Sequence, residues 1–384
     1  MRFAGKKLEF KTLGEICDIV SGGTPSRSRM EFWNNGDIPW IKIGNLNGKY
    51  VEKADEYITK VGLENSAAKV LPKGTILYTI FATLGETAIL SIDACTNQAI
   101  AGICIKDNLQ VSTDYMYYFL KSKKKFVNNI GRGVAQNNIN MSILKAFKVP
   151  LPEYSAQSEI VDILDKTVNI INMRRVELEK LDRLVKARFV EMFGDPVRNS
   201  KNWNTEKLCS IAPINKYNGD IDKFNGKVWL LNLDMIESRT GNIVDFLYEF
   251  ENRITSSTIK FDENCVLYSK LRPYLNKVVI PERKGYATSE LVSMSTEKIN
   301  KYFLANLLRQ DSFVNFSNAT AYGAKMPRAS MDLIKNFDVI NPPTELQNQF
   351  GKLVIEVEKS KVEVQRALDE AQLLFDSLMQ KYFG

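Results

Sequence analysis

The sequence predicts a mixed α/β fold in which two similar globular domains are joined by two long antiparallel helices that form a coiled-coil spacer. Three observations lead to this fold class: an internal repeat, strand-like runs inside each copy, and a long helical pattern at the end of each copy. The chain has 384 residues, of which 44% are hydrophobic and 25% charged, so it can form two or more hydrophobic cores.

The internal repeat has an offset of 190 residues. LPKGTILY at 71–78 aligns with FDENCVLY at 261–268, and GVAQNNINMSILKAFKV at 133–149 aligns with GAKMPRASMDLIKNFDV at 323–339. Two shorter stretches align at offsets of 189 and 192 residues, a drift that loop insertions produce. The repeat predicts four segments: a first domain at 1–152, a first helix at 153–194, a second domain at 195–342 and a second helix at 343–384.

Strands are predicted inside each copy, where β-branched and aromatic runs alternate with turn residues. The clearest runs are PWIKIGNL and GTILYTIF in the first copy, and KVWLLNL and CVLYSKL in the second. Trp40 and Trp229 occupy matching positions in these runs, where core packing is expected. A helix is predicted over 114–129, with 301–316 as its counterpart. The pattern does not predict the order of the strands.

The two long helices carry apolar residues at heptad spacing, which is typical of a coiled coil. Arg174, Arg188 and Lys361 also fall on this seam, where they could extend to solvent, set the register or mark a docking position for partners. The alternative is two amphipathic helices, each packed on its own domain. The apolar seam residues are Ile160, Leu164, Ile171, Leu178, Leu181 and Val185 in the first helix, and Phe350, Val354, Val357, Val364, Leu368, Phe375 and Leu378 in the second.

An antiparallel helix pair would relate the two domains by an approximate two-fold axis. A helix of about 38 residues is about 57 Å long. Because the second helix must return toward the first domain to pair with the first helix, the pair is expected to be antiparallel. Duplex DNA also has local two-fold axes, so two similar domains could each read one half-site, with a gap of less than roughly 17 base pairs.

Composition excludes several kinds of chemistry. Histidine is absent, which removes Ser-His and Cys-His nucleophilic catalysis and histidine-based zinc sites. The chain has no apolar run long enough to span a bilayer and no signal-peptide pattern, so a cytoplasmic location is expected. Five scattered cysteines without a CxxC motif predict buried free thiols rather than a zinc site. They are Cys17, Cys95, Cys104, Cys209 and Cys265.

The net charge of +7 is concentrated in the two predicted domains. Residues 1–150 have 20 Lys and Arg against 13 Asp and Glu, and residues 195–343 have 20 against 17. The helical stretches are slightly acidic, with 7 against 8 in 151–194 and 5 against 7 in 344–384. A polyanionic partner is therefore plausible for the domains.

These features together resemble the specificity subunit of type I DNA restriction–modification systems. The resemblance is carried by LGEICDIVSGGTPSRSRMEFWNNGDIPWIKIGNL at 13–46, by LPKGTILYT and TNQAIAGI, and by VPLPEYSAQSEIVDIL at the start of the first long helix. The second domain is more divergent. The resemblance implies two target recognition domains, each followed by a helix of an antiparallel spacer.

The resemblance also implies a non-catalytic chain that binds a bipartite target in double-stranded DNA, with one half read by each domain. The expected partners are two methyltransferase subunits and two restriction subunits, and no membrane is involved. S-adenosylmethionine, ATP and Mg²⁺ are expected on those partners, and no cofactor or metal is expected in this chain.

Candidate DNA contacts lie in polar loops and at strand ends. GRGVAQNNINM at 131–141 and its counterpart at 323–331 are the strongest, because Arg suits guanine and Asn or Gln suits adenine. A polar loop that only caps its own backbone is the alternative. KSKKK at 121–125 is either a solvated helix face or a further contact. The candidates are Arg27, Arg29, Lys42, Asn45, Arg132, Gln136, Asn137 and Asn138 in the first domain, and Lys270, Arg272, Tyr274, Lys325 and Arg328 in the second.

NPPTELQ at 341–347 is similar to the Asn-Pro-Pro-aromatic loop of DNA amino-methyltransferases. Its first copy, PLPEYSAQ at 150–157, has no such motif, and Thr344 stands where the aromatic would be. What both copies share is proline before a long helix, so we predict a helix start with Ser155 or Thr344 as cap. A self-contained methyltransferase using NPPT and a coiled-coil scaffold without DNA binding are the two alternatives.

Overall fold

The computed structural model describes residues 2–3, 6–107, 109–131, 138–214 and 217–384. It divides into two compact units. The first contains Met1–Asn172 and Leu368–Gly384, and the second contains Met173–Ala367. Each of the two long helices contributes one part to each unit, and the predicted mixed α/β class and two-copy organisation are confirmed.

The first unit contains a series of short strands and helices, the first part of one long helix and the last part of the other. Its strands are β1 (Arg2–Phe3), β2 (Lys6–Lys7), β3 (Glu9–Thr12), β4 (Cys17–Ser21), β5 (Ile38–Ile41), β6 (Tyr50–Val51), β7 (Glu56–Ile58), β8 (Ile76–Thr79), β9 (Thr87–Leu90), β10 (Cys95–Thr96), β11 (Ile100–Ile105) and β12 (Lys148–Leu151). Its helices are α1 (Leu13–Ile16), α2 (Lys60–Glu64), α3 (Thr113–Ser122), α4 (Lys124–Gly131), α5 (Met141–Lys145) and α6 (Tyr154–Phe193), which continues into the second unit.

The main sheet of the first unit has the strand order β4-β11-β8-β9-β6. Ala101 pairs with Ser21 and Ile100 pairs with Thr79, both in antiparallel register. The ends of β4 and β8 therefore lie beside the start of β11. A second sheet has the order β10-β5-β7, with β10 and β5 parallel. Trp40 in β5 is buried, as predicted.

The second unit repeats this construction with different strand lengths. Its strands are β13 (Thr205–Lys207), β14 (Lys227–Leu231), β15 (Leu247–Phe250), β16 (Thr258–Phe261), β17 (Cys265–Ser269), β18 (Val278–Val279), β19 (Gly285–Thr288), β20 (Leu291–Ser295) and β21 (Asp338–Ile340). Its helices are α7 (Leu208–Ile211), α8 (Lys301–Arg309), α9 (Asp311–Ala319), α10 (Met331–Lys335) and α11 (Thr344–Phe383), which continues into the first unit.

Two sheets of the second unit have the strand orders β15-β14-β19-β16 and β18-β17-β20. Ser269 at the end of β17 pairs with Leu291 at the start of β20. Trp229 in β14 is buried, as predicted from its alignment with Trp40. Both tryptophans are therefore core residues, because the strands that carry them are covered on that face.

The repeat is also visible in the backbone that closes each unit. In the first unit β3 pairs antiparallel with β12, and in the second β13 pairs antiparallel with β21. The amide of Leu13 donates to the carbonyl of Phe147 at 2.8 Å, and the amide of Leu208 donates to that of Phe337 at 3.0 Å. The strand before each long helix is thus tied to a strand near the start of its own unit and to the short helix that follows that strand.

The single helices predicted over 114–129 and 301–316 are wrong in detail, since each is two helices. The first breaks at Lys123, which closes α3 in a tight turn, and the second breaks at Gln310, whose backbone is extended at φ −63° and ψ 139°. The cysteine prediction also needs one correction. Cys17, Cys95 and Cys265 are buried free thiols and Cys104 is half-buried, but Cys209 is exposed.

Within each unit, the parts of the two long helices run antiparallel. In the second unit the ring of Phe193 lies 5.5 Å from that of Phe350, and the ammonium of Lys361 lies 2.9 Å from the carboxylate of Asp182. Asp182 lies eleven residues before Phe193 in α6, and Lys361 lies eleven residues after Phe350 in α11. The two contacts therefore show that the helices run in opposite directions. In the first unit, residues from the start of α6 and from the end of α11 share one hydrophobic cluster; they include Ile160, Leu164, Ile171, Ala371 and Phe375.

The charged seam residues differ in their surroundings. Lys361 is only 13% exposed at its side chain and also contacts Glu358 at 3.2 Å. Arg174 and Arg188 are 42% and 44% exposed and pair with glutamates three residues further along the same helix. The remaining seam residues are buried or half-buried: Ile160, Leu164, Ile171, Leu178, Leu181, Val185, Phe350, Val354, Val357, Val364, Leu368, Phe375 and Leu378.

The NPPTELQ stretch starts a helix, as predicted. Asn341 is held by three hydrogen bonds: its amide donates to Asn204, its side-chain nitrogen donates to Glu206, and its side-chain oxygen accepts from Gln347. The predicted caps are wrong, because α6 begins at Tyr154 and α11 begins at Thr344. Ser155 and Thr344 therefore lie within the helices rather than before them.

Candidate nucleic-acid interface

In the first unit, the segment after β8 lies against Asn138 and Ile139, which belong to the predicted polar loop at 131–141. Phe81 forms an antiparallel bridge with Asn138, and the amide of Ile139 donates to the carbonyl of Ile80 at 3.1 Å. The side chain of Phe81 is 39% exposed. The segment after β8, the central strand of the sheet, therefore places the exposed ring of Phe81 beside Asn138.

The second unit makes the same contact at an offset of 190 residues. Leu271 forms an antiparallel bridge with Arg328, and the amide of Ala329 donates to the carbonyl of Lys270 at 2.8 Å. The amide of Arg272 adds a bond of 2.7 Å to the carbonyl of Pro327. The structure thus brings the predicted groups at 270–274 and 325–328 together.

At this contact in the second unit, one candidate side chain is already paired with a neighbouring carboxylate. Arg328 makes a two-pronged contact with Glu290, with Nη2 at 2.7 Å and Nε at 3.1 Å from one carboxylate oxygen. The hydrogen bond to Glu290 raises the pKa of Arg328. Tyr274 is 46% exposed and Lys325 is also exposed, so these two side chains are available to a ligand.

The loop of Arg272 and Tyr274 has an uncommon backbone. Arg272 and Asn276 both have φ of 49° and lie in the left-handed region, on either side of a 3₁₀ turn over Pro273–Leu275. This region is unfavourable for residues other than glycine and, to a lesser degree, asparagine. The loop must therefore be held by contacts outside itself.

In the first unit, Arg27 and Lys42 converge on one carboxylate. Arg27 lies 2.5 Å and Lys42 2.9 Å from the two oxygens of Glu56. Hydrogen bonds from Lys42 and Arg27 lower the pKa of Glu56, and its carboxylate raises the pKa of Lys42. The guanidinium of Arg27 also lies 3.7 Å from the ring centre of Trp33, which orients it as a cation–π pair.

Arg29 and Asn45, the other two predicted contacts of this region, interact with residues close to them in the sequence. Arg29 is 61% exposed and lies 3.6 Å from Glu31. The side-chain oxygen of Asn45 accepts from the amide of Lys42 at 3.0 Å and so closes the turn over Ile43–Asn45. Asn45 thus has a local structural role in addition to the predicted one.

Segment 96–99 connects several loops of the first unit. The carbonyl of Thr96 accepts from Gly23, and the amide of Asn97 donates to Ile41. The carbonyl of Ala99 accepts from Ile80. The segments carrying Arg27, Lys42 and Phe81 therefore all start from one end of the strands.

Three predicted contacts, Arg132, Gln136 and Asn137, lie outside the described residues. Sequence reasoning missed two acidic residues that pair with the candidate contacts, Glu56 and Glu290. For Glu290 a signal existed, because it aligns with Gln98 at the offset of 192 residues, and Gln98 bonds to Thr24. No comparable signal marks Glu56.

The arrangement suits recognition rather than catalysis. Exposed cationic, amide and aromatic groups can contact phosphates, base edges and base faces respectively. In the part of the chain that the structure describes, no group of three or more His, Cys, Asp or Glu side chains could hold a metal ion. Among these same residues, no helix is both long and apolar enough to cross a membrane.

Comparison with known proteins agrees with this geometry. Residues 5–182 match the type I restriction modification DNA specificity domain. The specificity subunit of type I restriction enzyme MjaIX from Methanocaldococcus jannaschii is 24% identical, over 98% of this chain and 92% of its own length. The EcoR124I/EcoR124II specificity subunit from Escherichia coli is 30% identical over 178 residues, which are 45% of this chain and 44% of that protein.

Two solved structures share the fold over nearly the whole chain. The S subunit of a type I restriction–modification system from M. genitalium has a TM-score of 0.55 and 15% identity, over 98% of this chain and 96% of that one. A structure from a study of type I restriction–modification complex assembly has a TM-score of 0.62 and 13% identity, over 98% and 97%. The two structures share the fold of this chain, and residues 5–182 match the DNA specificity domain. The chain is thus similar over nearly its whole length to type I restriction–modification specificity subunits.

Proposed function

We propose that the chain is the DNA specificity subunit of a type I restriction–modification complex and has no catalytic activity of its own. The observation that carries the proposal is the matched loop contact in the two units. Phe81 with Asn138 and Leu271 with Arg328 occupy equivalent positions but present different side chains. Equivalent placement with unlike chemistry is what reading two different half-sites requires.

The domain boundaries and the roles of individual residues are part of the proposal. Target recognition domains at 1–152 and 195–342 each read one half of a bipartite target, and spacer helices at 153–194 and 343–384 set the gap. The basic excess of both domains supports contact with DNA phosphates. Tyr274, Lys325 and Arg29 are the side chains whose exposure best suits direct contact.

The partners follow from the same proposal. Two methyltransferase subunits, carrying S-adenosylmethionine, dock on the spacer helices and methylate adenine, and two restriction subunits with ATP and Mg²⁺ complete the cytoplasmic complex. The chain contributes only the choice of sequence. The alternative use of NPPT as a methyltransferase loop is not supported by the structure, because all the polar atoms of the Asn341 side chain face neighbours of its own unit.

Mapping of methylated adenines tests the proposal. The full chain is co-expressed with its methyltransferase subunit, and modified adenines are located genome-wide. We expect an asymmetric split motif with a fixed gap. Exchange of residues 1–152 for the corresponding domain of a relative should then change one half of the motif and leave the other half unchanged. Methylation at an undivided motif, or none from a well-formed complex, would contradict the proposal.

A further inference from the structure

In the first unit, the helix behind the candidate DNA-facing loop holds that loop through a cation. The loop follows β8 and is closed by Thr79 and Glu86, whose backbones are joined by a bond of 3.0 Å. The ammonium of Lys124 in α4 lies 2.6 Å from the carboxylate of Glu86. The side-chain nitrogen of Asn128 in the same helix donates to the carbonyl of Leu84 at 3.1 Å.

Helix α4 also packs closely on this loop. Gly85 has φ of +81°, and a Cβ there would lie 2.9 Å from the Cα of Lys124. Glycine is therefore required for both the backbone conformation and the close approach. Because Lys124 is the first residue of α4, the position of the helix and the conformation of the loop are coupled.

The second unit has an equivalent device built on Arg309, the last residue of α8. Nη2 of Arg309 donates to the carbonyl of Val278 at 2.7 Å, and its own carbonyl accepts from the side chain of Asn276 at 3.0 Å. A Cβ at Gly241, which has φ of +74°, would collide with both the Val278 carbonyl and Nη2 of Arg309. The β18 side of the hairpin between β17 and β18 is therefore attached to this one residue, through Asn276 and Val278.

Arg309 is held in a desolvated position. Its Nε atom is buried and has no hydrogen-bond partner among the residues that the structure describes. Burial lowers the pKa of Arg309 to about 10, while Glu358 and Asp182 act in the opposite direction. Burial of a guanidinium group is unfavourable. Its presence beside this hairpin therefore indicates that the hairpin conformation is functionally important.

We propose that Lys124 and Arg309 are positioning residues that set half-site specificity, each by fixing the DNA-facing loop of its own unit. The proposal rests on the proposed function and names residues that act through the loops rather than on DNA. In the second unit the supported residue is Asn276, whose left-handed backbone is held by the bond from its side chain to the carbonyl of Arg309. In the first unit the Lys124–Glu86 pair is too exposed to contribute much to stability, so its effect is on loop geometry.

A direct phosphate contact by Lys124 would have a different signature. Loss of a phosphate contact weakens binding to all sequences about equally and reduces the salt slope by about one. Loss of a positioning residue changes the ratio between matched and mismatched sequences instead. The two roles are therefore distinguishable in one set of binding measurements.

The experiment uses Lys124→Met and Arg309→Met in the full chain, assembled with its methyltransferase subunits. Affinity is measured for the cognate duplex and for duplexes with single base changes in either half, after domain exchange has assigned each half to its unit. We expect Lys124→Met to reduce discrimination in the half read by the first unit by about tenfold, the scale of one good base contact. Discrimination in the other half stays at the wild-type value, and Arg309→Met gives the reverse pattern.

Each variant is thus the control for the other. An equal loss of base discrimination in both halves of the DNA target would overturn the proposal. Unchanged discrimination with a uniform loss of affinity for all duplexes would also overturn it. If Arg309→Met does not fold, Asn276→Asp replaces the side-chain donor to the Arg309 carbonyl with a carboxylate oxygen and is measured in its place. Asn336→Asp is the matched control, because it replaces a similar donor to the Asp332 carbonyl in the same way. A wild-type complex without any sequence preference would instead reject the proposed function.

Discussion

Two buried glutamines secure the starts of the long helices. Gln157 and Gln347 are each 1% exposed. The side-chain oxygen of Gln157 accepts from the amide of Ser112 at 2.9 Å, and that of Gln347 accepts from Asn300 at 3.0 Å. Their nitrogens donate to the prolyl carbonyls of Pro152 and Pro342, both at 2.9 Å. Each glutamine therefore links its long helix to the N-terminus of α3 or α8.

We expect Gln347→Met to lower the free energy of unfolding by about 1–3 kcal/mol, because it leaves the Asn300 amide and the Pro342 carbonyl buried without partners. Urea denaturation monitored by circular dichroism measures the change. Gln372→Ala on the same helix is the control, since its side chain is only half-buried and its bond to the exposed Asp376 is open to solvent. An equal loss of unfolding free energy in both variants would show that the buried hydrogen bonds of Gln347 contribute no more than the bond of Gln372.

A half-buried ionic network in the first unit depends on pH. Lys49 lies 2.8 Å from both Asp114 and Asp165, and Tyr50 donates to Asp114 at 2.8 Å. Burial raises the pKa of Asp114, but hydrogen bonds from Lys49 and Tyr50 outweigh it, so the pKa lies below its ordinary value of 3.8. Burial lowers the pKa of Lys49, but the hydrogen bonds that Lys49 donates to the two carboxylates outweigh this and raise the pKa above 10.5.

A lowered carboxyl pKa stabilises the fold above pH 3.8, and this contribution is lost as pH falls through the lower folded value. We expect Asp114→Asn to lower Tm at neutral pH, and the difference from wild type to shrink below pH 3.8. Thermal unfolding across this range is the measurement, with the exposed Asp37→Asn as control. A difference that is constant with pH would show that Asp114 acts by packing alone.

At the scale of the helix, the seam contains one inward-facing ion pair. A double-mutant cycle of Lys361→Ala and Asp182→Ala should give a coupling energy of about 0.5–2 kcal/mol, because Lys361 is largely shielded from water. The matched pair Arg174 and Glu177 is exposed and should give no more than about 0.5 kcal/mol. Urea denaturation of the four variants of each cycle measures both values. Equal coupling in the two pairs would contradict an inward role for Lys361.

The sequence predicted elements well where the signal was periodic or repeated. Trp40 and Trp229 were predicted to be buried because their strands and their alignment both indicate it. The breaks at Lys123 and Gln310 were missed, because no Pro or Gly marks them. Ser155 and Thr344 were misplaced as caps, since the helices begin earlier than the hydroxyl side chains suggest.

The candidate site was predicted less completely than the fold. The polar loops and strand ends were found from composition and repeat position, and the structure joins Lys270 and Arg328 in one group. Their acidic partners were not found, because the pairs Arg27 with Glu56 and Arg328 with Glu290 join residues far apart in the sequence. Pairing over such distances depends on strand register, which periodicity alone does not give.

For the whole molecule, the distribution of charge leads to a prediction about salt. With a net charge of +7 concentrated in the two domains, we expect the logarithm of DNA affinity to fall with the logarithm of salt concentration at a slope of about −3 or steeper. Fluorescence anisotropy of the assembled complex over a salt series measures it. A non-cognate duplex should show a similar slope at lower affinity. A flat dependence would favour a scaffold that does not bind DNA.

The bonds that hold the facing segments together are formed by the main chain. The amides of Ile139 and Ala329 donate to the carbonyls of Ile80 and Lys270, and neither bond involves a side chain. Substitution of Phe81 or Asn138 would therefore alter the surface offered to a ligand without removing those attachments. A protein built in this way can acquire a new preference through a few point changes, and either half can diverge while the other keeps its original partner sequence.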